Sequence, residues 1–124
     1  MRDIAFYKSS VGEEELNELK SVLELKKDTS KVIDFEENMA NFIGAKYAIS
    51  TCNGTAALHL ALSAIKLKRG DKILMSVNSF VNVPEVVRHF DAEPIFIDIN
   101  IDDMNVDLNK FEKALEANSS KKLR

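Results

Sequence analysis

Cysteine occurs once in the 124 residues, at Cys52. One thiol cannot close an internal disulfide, so a reducing cytoplasm is the expected setting. Cys52 itself is expected to be a small buried filler rather than a nucleophile. Glycine and proline are scarce, with 4 and 2 residues, and no stretch reads as an interdomain linker. A basic excess is missing too: the net charge is −3, so no positive field draws nucleic acid or an anionic membrane. No apolar run approaches the ~18 residues of a membrane span. The opening "MRDIAFYKSS" lacks the apolar segment of a secretory signal. Neither G-x-x-x-x-G-K-[ST] nor G-x-G-x-x-G occurs, which removes the two common nucleotide phosphate loops. A lone His59 makes neither a metal site nor a triad, and no metal is expected.

What is present is an ordinary globular composition, 45% hydrophobic and 30% charged, of a length that suits one core. Glu13, Glu14 and Glu15 favour a helix start, and Leu16, Leu19, Val22 and Leu23 then recur at helical spacing. "KKDTS" (26–30) breaks that helix. Ser30 can cap a second one, with Val32, Phe35, Met39, Phe42 and Ile43 as its stripe and Gly44 just past its end. Both stripes predict core-facing surfaces. The period then changes. Residues 46–50 read as a strand, 55–65 as a helix buried on most sides, 66–71 as an exposed turn and 72–76 as a second strand. Residues 83–90 read as a short helix with Pro84 in its first turn, 93–99 as a third strand, and 105–118 as a last helix capped by Asp107. Strands alternating with helices imply a parallel α/β sheet with crossover connections. In such a chain a further strand is expected after the last helix, because a sheet this small leaves its edges open.

The chemistry concentrates at "STCNGTAALHLAL" (50–62). It carries the chain from a strand end to a helix start, the edge where open α/β sheets bind ligands. The first turn of a helix has free N–H groups and a partial positive charge, which suits a phosphate. Gly54 permits close approach, Thr55 adds a hydroxyl and Ala56 an unobstructed N–H. A plain strand-to-helix turn has the same spacing. "MSVNSFVN" (75–82) reaches the same edge, and Phe80 there either lies on a flat heteroaromatic ring or plugs the core. His59, one turn into the helix, is expected to be packed or hydrogen-bonded. Asp98 is expected to anchor a loop.

The run "FEENMANFIGAKYAISTCNGTAALHLALSAIKLKRGDKILMSVNSFVN" resembles the N-terminal half of the large domain of the DegT/DnrJ/StrS-type sugar aminotransferases, fold type I enzymes that use pyridoxal 5′-phosphate. The likeness is carried by Phe35-Glu36, Ile43-Gly44, Asn53-Gly54-Thr55, Ala57-Leu58-His59-Leu60-Ala61-Leu62, Gly70-Asp71, Phe80, Ile95-Phe96-Ile97-Asp98 and Asn105-Val106-Asp107. It covers nearly the whole chain in order. It implies an N-terminal helical segment over 1–30 and the first part of the cofactor-binding domain over 31–124. It makes Gly54, Thr55 and Ala56 the cradle of the cofactor phosphate and Phe80 the aromatic stacked on the pyridine. The substrates it implies are a keto-sugar, often nucleotide-linked, and an amino donor, handled by a homodimer.

Two departures stand out. Asn82-Val83 replaces a small residue followed by Thr, and Cys52 replaces Ser. The family also needs an Asp at the pyridine nitrogen and a Lys joined covalently to the cofactor. Neither has a counterpart here, since Ser119-Ser120-Lys121-Lys122 reads as a solvated charge run. No catalytic residue is assigned, and the chain alone is expected to be inactive. Two other readings are a non-catalytic dimerisation or interaction module derived from such an enzyme, and part of a pyridoxal phosphate-dependent sugar dehydratase.

Overall fold

The computed structural model describes residues 6–24 and 30–124. The expected break at 26–30 falls, apart from Ser30, outside the described residues. The chain divides into two compact units, Met1–Ser50 and Thr51–Arg124.

In the first unit, α1 spans Glu13–Leu23. The Gly12 N–H donates to Glu15 Oε2 at 2.6 Å, which satisfies an orphan donor at the helix start. That bond, followed by the Glu15 N–H, holds the Glu15 carboxyl below its usual value. Helix α2 spans Lys31–Ile43. Ser30 Oγ accepts from the Val32 N–H at 3.3 Å, as a cap should. Gly44 ends the helix at φ 69°, a left-handed backbone that suits glycine.

Both helices form where expected, but their stripes are not core-facing. Leu19, Val32, Phe35 and Phe42 are all exposed, and only Ala40 of α2 is buried. Two helices and one extended segment offer too little surface to cover two apolar faces. The strand expected at 46–50 is also absent. An extended backbone needs a ladder partner to become a strand, and none lies beside it among the described residues. A side chain anchors it instead: the Ser50 N–H and hydroxyl both donate to Glu36 Oε1, at 2.7 and 2.8 Å. These bonds, the backbone one foremost, hold the Glu36 carboxyl below its usual value.

The second unit contains α3 (Gly54–Ala64), β1 (Lys72–Ser76), α4 (Asn82–His89), β2 (Glu93–Ile97) and α5 (Leu108–Ala117). Strands β1 and β2 pair in parallel, from Lys72 opposite Glu93 to Ser76 opposite Ile97, with α4 as the crossover. The architecture is therefore α/β, as the alternation predicts. Val86 and Val87 of α4 are 1% and 2% exposed, and Val87 packs with Leu67, Met75 and Ala92. Burying a side chain such as Val86 stabilises by about 2 kcal/mol.

Helix α3 is less enclosed than its composition predicts. It has no fully buried residue, because only the side bearing Leu62 meets this core. After α5, Leu123 makes an isolated parallel bridge to Lys72, on the edge of β1 away from β2. The Lys72 N–H donates to the Lys122 carbonyl at 2.7 Å, and the Arg124 N–H donates to the Lys72 carbonyl at 3.0 Å.

That bridge accounts for a further correction. Asp71, expected in an exposed turn, is 1% exposed. Its carboxylate accepts from Arg124 Nε at 3.0 Å and from the Lys68 N–H at 3.1 Å, and Lys122 Nζ lies 3.7 Å away. Burial pushes the Asp71 carboxyl up. The Arg124 and Lys68 bonds and the two nearby positive charges together outweigh it and leave the group below its usual value. Lys122 remains exposed, as a solvated run implies, while its ammonium neighbours Asp71.

Candidate functional site

Helix α3 begins with Asn53 as its N-cap, in extended backbone. Asn53 Oδ1 accepts from the Ala56 N–H at 2.9 Å, and the Asn53 carbonyl accepts from the Ala57 N–H at 3.1 Å. The N–H groups of Gly54 and Thr55 have no hydrogen-bond partner among the described residues. A Cβ built on Gly54 would meet nothing within 4 Å, so neither crowding nor a left-handed backbone calls for glycine there. No acidic side chain stands in the first turn of α3. An anion is favoured at such a place by the open donors and by the helix dipole.

The Thr55 hydroxyl is fixed from a second helix. Asn82 Nδ2, in the first residue of α4, donates to Thr55 Oγ1 at 2.7 Å, and both residues are half-buried. The starts of α3 and α4 therefore meet, where the chain has left the carboxyl end of β1. The loop between β1 and α4 is held by two bonds between near neighbours and one to a distant residue. Ser79 Oγ donates to the Ser76 carbonyl at 3.0 Å, the Asn78 N–H to Ser76 Oγ at 3.2 Å, and Asn78 Nδ2 to the Met104 carbonyl at 3.2 Å. At its tip the Phe80 ring is 75% exposed, which rules out a core plug and leaves the ring open to contact.

Of the sequence-predicted site residues, Gly54, Thr55 and Ala56 form one helical turn, although the Ala56 N–H is engaged by Asn53. Phe80 stands two residues before Asn82. Cys52 is exposed rather than buried, because it sits in the bend before the cap. His59 packs by its ring, 4.7 Å between centroids from Phe90 and 6.1 Å from His89. Asp98 does anchor a loop: its carboxylate accepts from Lys110 Nζ at 2.5 Å and from the Ile99 N–H at 2.9 Å. Those bonds, the lysine first, hold its carboxyl low. Among the described residues no group of three or more metal-ligating side chains occurs. No described helix is long and apolar enough to cross a membrane.

Sequence reasoning missed Asn82. The signal was there, in an amide standing where the family pattern carries a small residue. It also missed Arg124 as the partner of Asp71, which spacing alone could not reveal.

The fold is α/β, with two open N–H groups at the start of α3 beside the helix that follows parallel strand β1. Residues 9–122 match the DegT/DnrJ/EryC1/StrS aminotransferase family, and the chain belongs to it. It is 38% identical over 108 residues to the spore coat polysaccharide biosynthesis protein SpsC of Bacillus subtilis, covering 85% of this chain and 28% of that protein. It is 34% identical over 105 residues to the 3-oxo-glucose-6-phosphate:glutamate aminotransferase of the same organism, covering 83% of this chain and 24% of the enzyme. Among solved structures it superimposes with a TM-score of 0.81 and 24% identity on an E. coli GDP-4-keto-6-deoxy-D-mannose-3-dehydratase with bound hydrated pyridoxal phosphate, covering 98% of this chain and 32% of that one. The chain thus spans under a third of the length of these relatives.

Proposed function

We propose that this chain is the phosphate-holding part of a pyridoxal phosphate-dependent aminotransferase that acts on a keto-sugar, nucleotide-linked or phosphorylated. The observation that carries this reading is the pair of open N–H groups at Gly54 and Thr55, beside a hydroxyl already fixed by Asn82 and free of acidic neighbours in that turn. Gly54 and Thr55 hold the phosphate through their N–H groups, and Thr55 adds its hydroxyl. Ala56 joins them when its N–H turns from Asn53. Phe80 covers one face of the pyridine ring and excludes water from it. The cofactor, when bound, supplies the electron sink for amino-group transfer. The residues of this chain bind and orient it.

The second named relative supports a sugar ketone and glutamate as the substrates. A homodimer working in the cytoplasm belongs to the same reading. Among the described residues no lysine is hydrogen-bonded to Gly54, Thr55 or Asn82, and amino-group transfer by these 124 residues alone is not expected.

The test uses pyridoxamine 5′-phosphate, which needs no lysine to bind. Titrated into the isotopically labelled chain, it should shift the amide signals of Gly54 and Thr55 and the ring signals of Phe80. Unphosphorylated pyridoxamine should leave the two amides in place. Equal responses to both ligands would rule out the phosphate cradle. Turnover of a keto-sugar by the chain alone would overturn the expectation of inactivity.

A further inference from the structure

We propose that Asn82 is a positioning residue that keeps the Thr55 hydroxyl proton available to the bound phosphate. This rests on the phosphate reading given above. A threonine hydroxyl has one proton and two lone pairs. Alone, it can spend that proton on water or on a nearby carbonyl. Here the Asn82 amide donates into Thr55 Oγ1 at 2.7 Å, so one lone pair is filled and the proton is not consumed at that contact. Donation into the oxygen also polarises the O–H bond and strengthens it as a donor.

The bond is half-buried and crosses from the first turn of α4 to the first turn of α3. It therefore sets the hydroxyl relative to the open Gly54 and Thr55 N–H groups rather than leaving it to rotate. The next residue, Val83, has no polar side-chain atom and packs against the core. The amide of Asn82 is thus the polar side chain that α4 contributes at this junction. Its chemistry is directional: an amide nitrogen donates, whereas a carboxylate in the same place would accept the Thr55 proton and add a negative charge beside the phosphate.

The experiment is calorimetric titration of the full 124-residue chain with pyridoxamine 5′-phosphate and, separately, with pyridoxamine. Four variants are compared: Thr55→Val, Asn82→Ala, Asn82→Asp and the Thr55→Val/Asn82→Ala pair. Thr55→Val should weaken the phosphate ester about tenfold, and Asn82→Ala about threefold to fivefold. Asn82→Asp, though nearly isosteric, should weaken it about tenfold or more. The double variant should match Thr55→Val alone, because Asn82 acts through that hydroxyl. Affinity for pyridoxamine should not change in any variant, whereas a merely structural role would move both ligands together. Should Asn82→Ala fail to fold by circular dichroism, Asn82→Asp carries the comparison.

If the wild-type chain binds the two ligands equally, the phosphate reading falls and this proposal with it. If the wild type prefers the phosphate ester and Thr55→Val loses that preference, but Asn82→Ala and Asn82→Asp keep it, the cradle stands and the role of Asn82 is overturned.

Discussion

The two ends of strand β1 are built on opposite rules. Before its first residue, Asp71 is buried, and its carboxylate is met by Arg124, Lys122 and the Lys68 N–H. Its backbone is engaged as well: the Asp71 N–H donates to the Lys68 carbonyl at 2.9 Å, and the Asp71 carbonyl accepts from the Glu93 N–H at 2.8 Å. Past the last residue of β1, the neighbouring helix start leaves two N–H groups open and an aromatic ring exposed. A buried carboxylate is tolerable only when its hydrogen-bonding capacity is met, so the first end is closed by necessity. At the second end the first turn of α3 carries no acidic side chain, and its two N–H donors have no hydrogen-bond partner among the described residues. Closed polar groups hold the sheet together, and open ones are free to bind.

That contrast can be broken from either side. The largest effect is expected from Asp71→Ala, which strands Arg124 and Lys122 and leaves the Lys68 N–H unpaired. A thermal melt should show the midpoint falling by several degrees. Affinity of the folded fraction for pyridoxamine 5′-phosphate should be unchanged. A loss of affinity with an unchanged midpoint would reverse the assignment of the two ends.

A smaller effect is expected on pH. The Asp71 carboxyl titrates below its ordinary value of 3.8. Its contribution to stability is therefore complete above that value and is lost as pH falls through the lower, folded value. Denaturant midpoints measured down the acid limb should fall less steeply in Asp71→Asn than in the wild type. Identical slopes would show that the pairing with Arg124 does not persist in solution.

The smallest effect comes from the open end. Asn53→Ala removes a cap and should cost about 1 kcal/mol of stability. It also releases the Ala56 N–H, so phosphate affinity should hold or rise up to about twofold. A marked loss of affinity would mean that the Asn53 side chain itself touches the ligand.

Local chemistry carried most of what was legible in the sequence. Caps at Ser30, Asn53 and Asp107 and the stop at Gly44 depend on neighbours a few residues away. Of these, Ser30, Gly44 and Asp107 could be read from pattern and spacing. The parallel pairing of β1 and β2 followed from the alternation of strand and helix. What failed depended on distant parts of the chain. The 46–50 segment has strand composition but no ladder partner among the described residues. The stripes of α1 and α2 have core composition but are exposed among the described residues. At the candidate site the turn itself was legible, since Gly54 and Thr55 announce an open helix start. The bond from Asn82 was not, because it joins residues 27 positions apart.

The bridge between Lys72 and Leu123 also sets an order of assembly. Bringing β1 to β2 closes a loop of about twenty residues, whereas bringing Arg124 to Asp71 closes one of 53. The longer closure costs about 0.8 kcal/mol more in chain entropy. The contacts of α4 with both strands can repay the shorter one first. Asp71 should then enter its pocket late, since a carboxylate is better left in water until its cation arrives. The helix crossover would be the nucleus, and the ion pair the last piece to lock.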